Sequence, residues 1–160
     1  MKTIYLAGPF FNEEQTATIV RAEALWDRAV ERAGTDHLWG RMELYSPRRE
    51  FQVGPDSTEN ERGCCFQANL SYIRAASLVF ARIDDFDAGT VWEMGYAYAV
   101  GATTVTWTTV EGRGLNLMLA QSARGHLVGW DAVEAFIDTA PDFDWEMVEQ
   151  WGLNPKHEVI

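Results

Sequence analysis

The sequence predicts a single doubly wound α/β domain, on three observations. Apolar, partly β-branched runs at residues 3–6, 78–83 and 103–108 are short and bounded by turn residues, as strands buried in a sheet are. Segments with apolar residues at helical spacing separate them, and such alternation implies a mainly parallel sheet covered on both faces. A chain of 160 residues fits one domain and buries roughly two-thirds of the surface its unfolded form exposes, enough for an enclosed core.

In chain order, the run 3–6 leads through Ala7-Gly8-Pro9 into a loop. Asn12 caps a helix over 13–33, with Ile19, Ala22, Leu25, Trp26 and Ala29 as its buried stripe. A second short strand covers 42–45, and the polar stretch SPRREFQVGPDSTENERG after it reads as a long loop. The pattern then gives a helix over 63–76, a strand over 78–83, a helix over 90–100 and a β-branched strand over 103–108. A Gly-bearing loop precedes a helix over 115–123, a short run at 126–128, and helical stretches at 131–140 and 144–151. Together these predict a flavodoxin-like sheet of about five strands in one domain, residues 1–160, with no internal repeat. Ligands in such folds sit at the carboxyl ends of the strands, here the loops after Leu6, Tyr45, Ile83 and Thr108.

Apolar residues at 47% and aromatics at 12% place the chain among globular proteins. The formal charge is −11, and Lys2 and Lys156 are the only lysines. Such a surface repels phosphate backbones and anionic lipid, so neither nucleic acid nor membrane is expected as a partner and a small molecule is. High-salt adaptation, an arginine-favouring codon bias and simple solubility account for the acidity equally well. Cys64 and Cys65 are adjacent, which suits neither a metal knuckle nor a redox pair, so reduced, half-buried helix residues are expected. No apolar run reaches the ~20 residues of a membrane span, and the opening MKTIYLAGPFFNEEQ turns acidic too soon for a signal peptide. A cytoplasmic location is the expectation.

Candidate chemistry concentrates in DAGTVWEMGYA, residues 87–97. Thr90, with Glu93 three residues on, has the form of a capping box, which would make Glu93 a helix cap. Yet Glu93, Ala97 and Val100 fall on one stripe, which puts the glutamate among small apolar residues instead of solvated charges. Asp87, on the loop feeding this helix, is either another N-terminal charge favoured by the dipole or the second of two converging carboxylates. Glycosidic chemistry requires such a pair: one carboxylate attacks or stabilises the anomeric carbon, the other handles the leaving group's proton. Tyr5, inward-facing on the first strand, either fills the core or donates its hydroxyl to that carboxylate, keeping it ionised and aimed.

Other constellations fail. The chain has no P-loop, and the Gly8-Pro9 turn lacks the glycines of a dinucleotide fingerprint. His37, His126 and His157 show no metal spacing, so neither a metal nor a cofactor is expected. The seven tryptophans read mostly as core, Phe10 and Phe11 as possible flanks of a planar ligand, and Arg48 and Arg49 as solvated loop charges or a phosphate grip.

The segments TIYLAGPFF at 3–11, DAGTVWEMGYA at 87–97 and NLM at 116–118 resemble the nucleoside 2-deoxyribosyltransferase family, in the same order and at similar separations. The resemblance implies an enzyme that moves 2-deoxyribose from one nucleobase to another. It makes Glu93 the nucleophile, Asp87 a sugar or base contact and proton shuttle, and Tyr5 the orienter of Glu93. Gly8, Phe10, Phe11 and Met118 become substrate contacts, and Asn116 a contact to the sugar's 5′ hydroxyl reaching in from a neighbouring subunit. Nucleosides and free nucleobases are then the partners, and a homo-oligomer completes the site. One position departs from the pattern: Asn69 stands where the family commonly has an acid. An amide hydrogen-bonds a base without protonating it, which moves proton transfer onto Asp87 or Asp85.

Two other readings compete. A nucleoside 5′-monophosphate N-glycosidase, similar in its G-T-x-x-E-x-G core, would keep the nucleophile and deliver the sugar to water, with Arg48 and Arg49 on the phosphate. A non-catalytic nucleotide-sensing module would leave Glu93 as a cap, its loss costing about 1 kcal/mol.

Overall fold

The β-branched and apolar runs form one parallel sheet in this computed structural model, which describes residues 1–34, 41–51 and 53–140. Its strands are β1 (Lys2–Ala7), β2 (Met42–Tyr45), β3 (Leu78–Arg82), β4 (Thr104–Thr108) and β5 (Gly125–Val128), in the order β2-β1-β3-β4-β5. All four strand pairs are parallel. The order reverses between β1 and β3, which opens a crevice at the carboxyl ends of those strands.

Helices α1 (Glu13–Ala33) and α6 (Trp130–Thr139) cover one face. Their core is aromatic: Phe80 stacks on Trp107 and Phe136 and meets Trp26 edge-on, at centroid distances of 5.6, 5.7 and 5.4 Å. Such offset and edge contacts add to the area these rings bury. The other face carries α3 (Glu59–Ala75), α4 (Ala88–Ala99) and α5 (Leu117–Ser122), packed on Tyr5, Tyr45, Val79, Met94 and Ala97. The predicted class is therefore the observed one, helices on both faces included. Among the described residues no helix is long and apolar enough to cross a membrane.

Several local expectations are corrected. Asn12 does cap α1, accepting from the Gln15 N–H. The stretch after β2 is not one long loop: Pro47–Glu50 form a short helix, α2, and α3 begins at Glu59 behind a Thr58/Glu61 capping box. No capping box joins Thr90 to Glu93. The cap of α4 is Asp87, whose side chain accepts from the Thr90 N–H, so Glu93 lies in the second helical turn, out of reach of the helix start. Val100 is the C-cap and largely exposed, so the buried stripe runs through Thr90, Met94 and Ala97 instead. The run at 126–128 belongs to β5. The helix expected at 144–151, His37 and His157 lie outside the described residues.

Candidate active site

Parallel pairing of β1 with β2 puts Tyr5 beside Tyr45, with their rings stacked at 5.5 Å. Tyr72 of α3 stacks on the far side of Tyr45 at 3.7 Å. Each of the two strand tyrosines ends in a hydrogen bond to a helix: Tyr5 Oη donates to Glu93 Oε1 on α4 at 2.6 Å, and Tyr45 Oη donates to Asn69 Oδ1 on α3 at 2.9 Å. Between α3 and α4 lies a groove of about 480 Å³ lined by Phe66, Asn69, Leu70, Ile73, Ala88, Gly89, Trp92 and Glu93. Asn69 and Glu93 thus meet in one apolar groove flanked by the rings of Phe66 and Trp92, 5.7 Å apart. Pockets that hold small molecules are built this way, mostly apolar with a few placed polar groups.

Burial pushes the Glu93 carboxyl up to about 7; the Tyr5 hydrogen bond opposes this and loses, and the charge of Asp87 adds to the rise. Tyr5 therefore aims the carboxylate but does not keep it fully ionised at neutral pH. Tyr5 itself is raised well above the usual phenol range, by burial first and then by the Glu93 charge and hydrogen bond, so it remains a donor. Burial also raises Tyr45. On the α3 wall, burial and the Glu93 charge push the Cys65 thiol up, so Cys65, a free cysteine like Cys64, stays a thiol.

Of the two roles weighed for Asp87 in the sequence, the structure shows the one at the helix N-terminus. Its Oδ2 accepts from the Thr90 N–H at 2.8 Å and the Thr90 hydroxyl at 3.0 Å, while Oδ1 has no hydrogen bond among the described residues. A Cβ at Gly89 would stand 3.1 Å from that Oδ2, which explains the glycine. Just upstream, Phe86 adopts φ +47°, a left-handed conformation uncommon outside glycine.

The loop after β3 is anchored by Asp84, a residue to which the sequence alone assigned no role of its own. Asp84 is buried and accepts from the Thr108 hydroxyl, the Thr109 N–H and hydroxyl, and the guanidinium of buried Arg82. Burial works against its charge, yet these donors outweigh it and hold the carboxyl below the usual range. Asp85 is exposed and accepts from Gln15 Nε2 at 3.0 Å, while Gln15 Oε1 accepts from the Phe11 N–H. One amide thus ties the loops after β1 and β3 together. Gly8 is forced by close approach, a Cβ there falling 2.6 Å from Ile19 Cδ1 and 3.1 Å from Arg82 Cβ.

Of the other predicted contacts, Phe10 and Phe11 stack on each other at 5.9 Å on the β1 loop, and neither lines the Glu93 groove. Nor do Asn116 and Met118. Asn116 caps α5 by accepting from the Met118 N–H, and both residues line a separate apolar pocket of about 530 Å³ with Phe86, Val91 and Leu119. Arg48 is half-buried and Arg49 exposed, and both are engaged in ion pairs: each pairs with the buried Glu23, and Arg49 also pairs with Asp27. Tyr45, which does not line the groove but holds Asn69 in its wall, was unforeseen. Its signal in the sequence was a second tyrosine at the end of the strand expected beside the first. Among the described residues no His, Cys, Asp or Glu cluster is arranged for a metal.

A model of the nucleoside 2-deoxyribosyltransferase family matches residues 4–127. The chain belongs to this family. A 2-deoxyribosyltransferase from the psychrotolerant bacterium Bacillus psychrosaccharolyticus is similar in structure at a TM-score of 0.68 and 28% identity, covering 91% of this chain and 95% of that one. Two further structures share the fold. They are a conserved protein from Enterococcus faecalis V583 (TM-score 0.57, 18% identity, 94% of this chain and 98% of that one) and the Clostridium botulinum CMP N-glycosidase BcmB (TM-score 0.56, 17% identity, 87% and 97%). No curated protein sequence matches. The family acts on nucleosides and nucleobases.

Proposed function

We propose that this chain transfers 2-deoxyribose between nucleobases through a covalent glycosyl-glutamate at Glu93, with net retention. The observation that carries the reading is the 2.6 Å hydrogen bond from Tyr5 to a glutamate set in an apolar, aromatic-flanked groove. Glu93 has no capping duty to explain it, since Asp87 caps α4, and this removes the basis of the non-catalytic reading.

In the proposed reaction an ionised Glu93 oxygen attacks C1′ as the C1′–N bond lengthens through an oxocarbenium-like state. The bond's electron pair leaves with the base, which takes a proton through Asp87. A second base then attacks C1′ from the face the first one left, displaces the carboxylate and gives up its own proton. Two inversions restore the original configuration. The absent 2′ hydroxyl eases cation formation, so deoxyribosides outpace ribosides. Phe66 and Trp92 flank the groove and limit water's approach to the intermediate.

The phosphate-dependent hydrolase finds less support, because the arginines it needs are engaged with Glu23 and Asp27. Asn116 and Met118 serve a neighbouring subunit in this proposal: they sit outside their own chain's Glu93 groove, beside exposed Leu117 on the face that also exposes Trp92 and Tyr98.

Incubating a deoxyribonucleoside with a second free base and separating the products tests the proposal. The swapped nucleoside should form, and Glu93→Ala should lower its rate by about 10³-fold or more while the fold survives. Acid-quenched protein should carry a deoxyribose-sized mass increment on the Glu93 peptide. Free base and free sugar alone would overturn the transfer reading.

A further inference from the structure

Among the described residues, the polar side chains that line the groove besides the Trp92 indole are Glu93, which the proposed reaction assigns to the sugar, and Asn69. Resting on that reading, we propose that Asn69, locked as a hydrogen-bond donor by Tyr45, selects nucleobases that present a carbonyl to the α3 wall.

The lock follows from where the Tyr45 proton can go. Tyr45 is 3% exposed and held between the rings of Tyr5 and Tyr72, so its hydroxyl cannot swing to solvent. Asn69 Oδ1, at 2.9 Å, is its acceptor. Turning the amide over would set Nδ2 against the hydroxyl and strand a buried phenolic proton, a desolvation loss that native structures avoid. Oδ1 of Asn69 is therefore turned toward Tyr45, and Nδ2 faces the other way. One of its hydrogens points toward Cys65 Sγ at 4.0 Å, a weak acceptor, and the second is left for the groove. A carbonyl at pyrimidine C4 or purine C6 accepts that hydrogen, as in uracil, thymine, hypoxanthine and guanine. The exocyclic amino group that cytosine and adenine carry at the same position meets it donor to donor. An amide does not titrate, so this selection holds across pH.

The test compares kcat/KM for paired acceptor bases, hypoxanthine against adenine and uracil against cytosine, with one common deoxyribonucleoside donor. The wild-type chain should favour the oxo base of each pair by about tenfold or more, since a site built to donate to a carbonyl rejects the analogue lacking it. Asn69→Asp, offering acceptors only, should lower that ratio at least tenfold, and Tyr45→Phe, which frees the amide to turn, should bring it toward one. Each ratio is taken within one variant, so a general loss of rate cancels. Equilibrium binding of the same four free bases gives a readout independent of turnover. Selective binding without any swapped nucleoside would sink the transfer reading and keep this one. A wild-type ratio near one, or a ratio that Asn69→Asp leaves unchanged in both assays, would overturn it.

Discussion

Glu93 ties stability and activity to one titration with opposite signs. A carboxyl whose folded-state pKa stands near 7, against an ordinary 4.5, adds stability only while protonated. That contribution is complete below about pH 4.5 and is lost as pH rises through 7. Glu93, the proposed nucleophile, ionises over the same interval. The kcat/KM of the free enzyme should therefore rise along a limb with an apparent pKa near 7, while denaturant midpoints fall. Glu93→Gln should abolish exchange and remove that fall, a gain on the order of 2–3 kcal/mol at pH 8. A flat wild-type stability profile from pH 5 to 8 would contradict the assignment. Tyr5→Phe removes the one interaction that lowers the Glu93 pKa, so the activity limb should move to higher pH, as pH-rate profiles of the two proteins will show. At this scale the sequence carried the Asp87/Glu93 spacing and Tyr5, but it left the cap open between the Thr90/Glu93 box and Asp87. Thr90-x-x-Glu93 fits the box motif, while Asp87, three residues before Thr90, is the stronger N-cap type and takes the position. The fates of Arg48 and Arg49 were not legible, because nothing local announces that Glu23 is buried beside them.

The strand ends, by contrast, are held by polar anchors that apolar periodicity cannot signal. The Arg82–Asp84 pair with Thr108 and Thr109 pins the end of β3 to that of β4. Asp84→Ala would leave the buried Arg82 guanidinium with the exposed Glu14 as its ion-pair partner and should cost about 2 kcal/mol or more, read from denaturant midpoints. A loss below 1 kcal/mol would mean that water replaces the carboxylate. The strands and α1 were legible because both depend on apolar spacing and a recognisable cap. The segment 46–62 was not, since its polar residues read as loop although Thr58 and Glu61 box the start of α3 and Ser46 accompanies Arg48 on Glu23.

Across the whole molecule, alternating strands and helices fixed the layers, but only the order β2-β1-β3-β4-β5 says that Tyr45 flanks Tyr5 at the crevice. The sequence could not show either that Asn116 and Met118 stay out of their own chain's groove. If they complete a neighbour's site, a charge on that face should separate the subunits. Met118→Asp, at a side chain 74% exposed in the single chain, should lower the mass measured by light scattering and reduce exchange together, leaving the monomer folded. Unchanged mass with full activity would refute the shared site.

In the proposed reaction Asp87 joins two obligations in one side chain: one oxygen starts α4, and the other serves the sugar or base. A mutational survey scored by growth or turnover would therefore rank this position as purely catalytic, and one scored by soluble yield would rank it as purely architectural. Serine, which still caps a helix but carries no charge, is the replacement that tells the two apart, and any redesign of this scaffold for other sugars must keep the first obligation while altering the second.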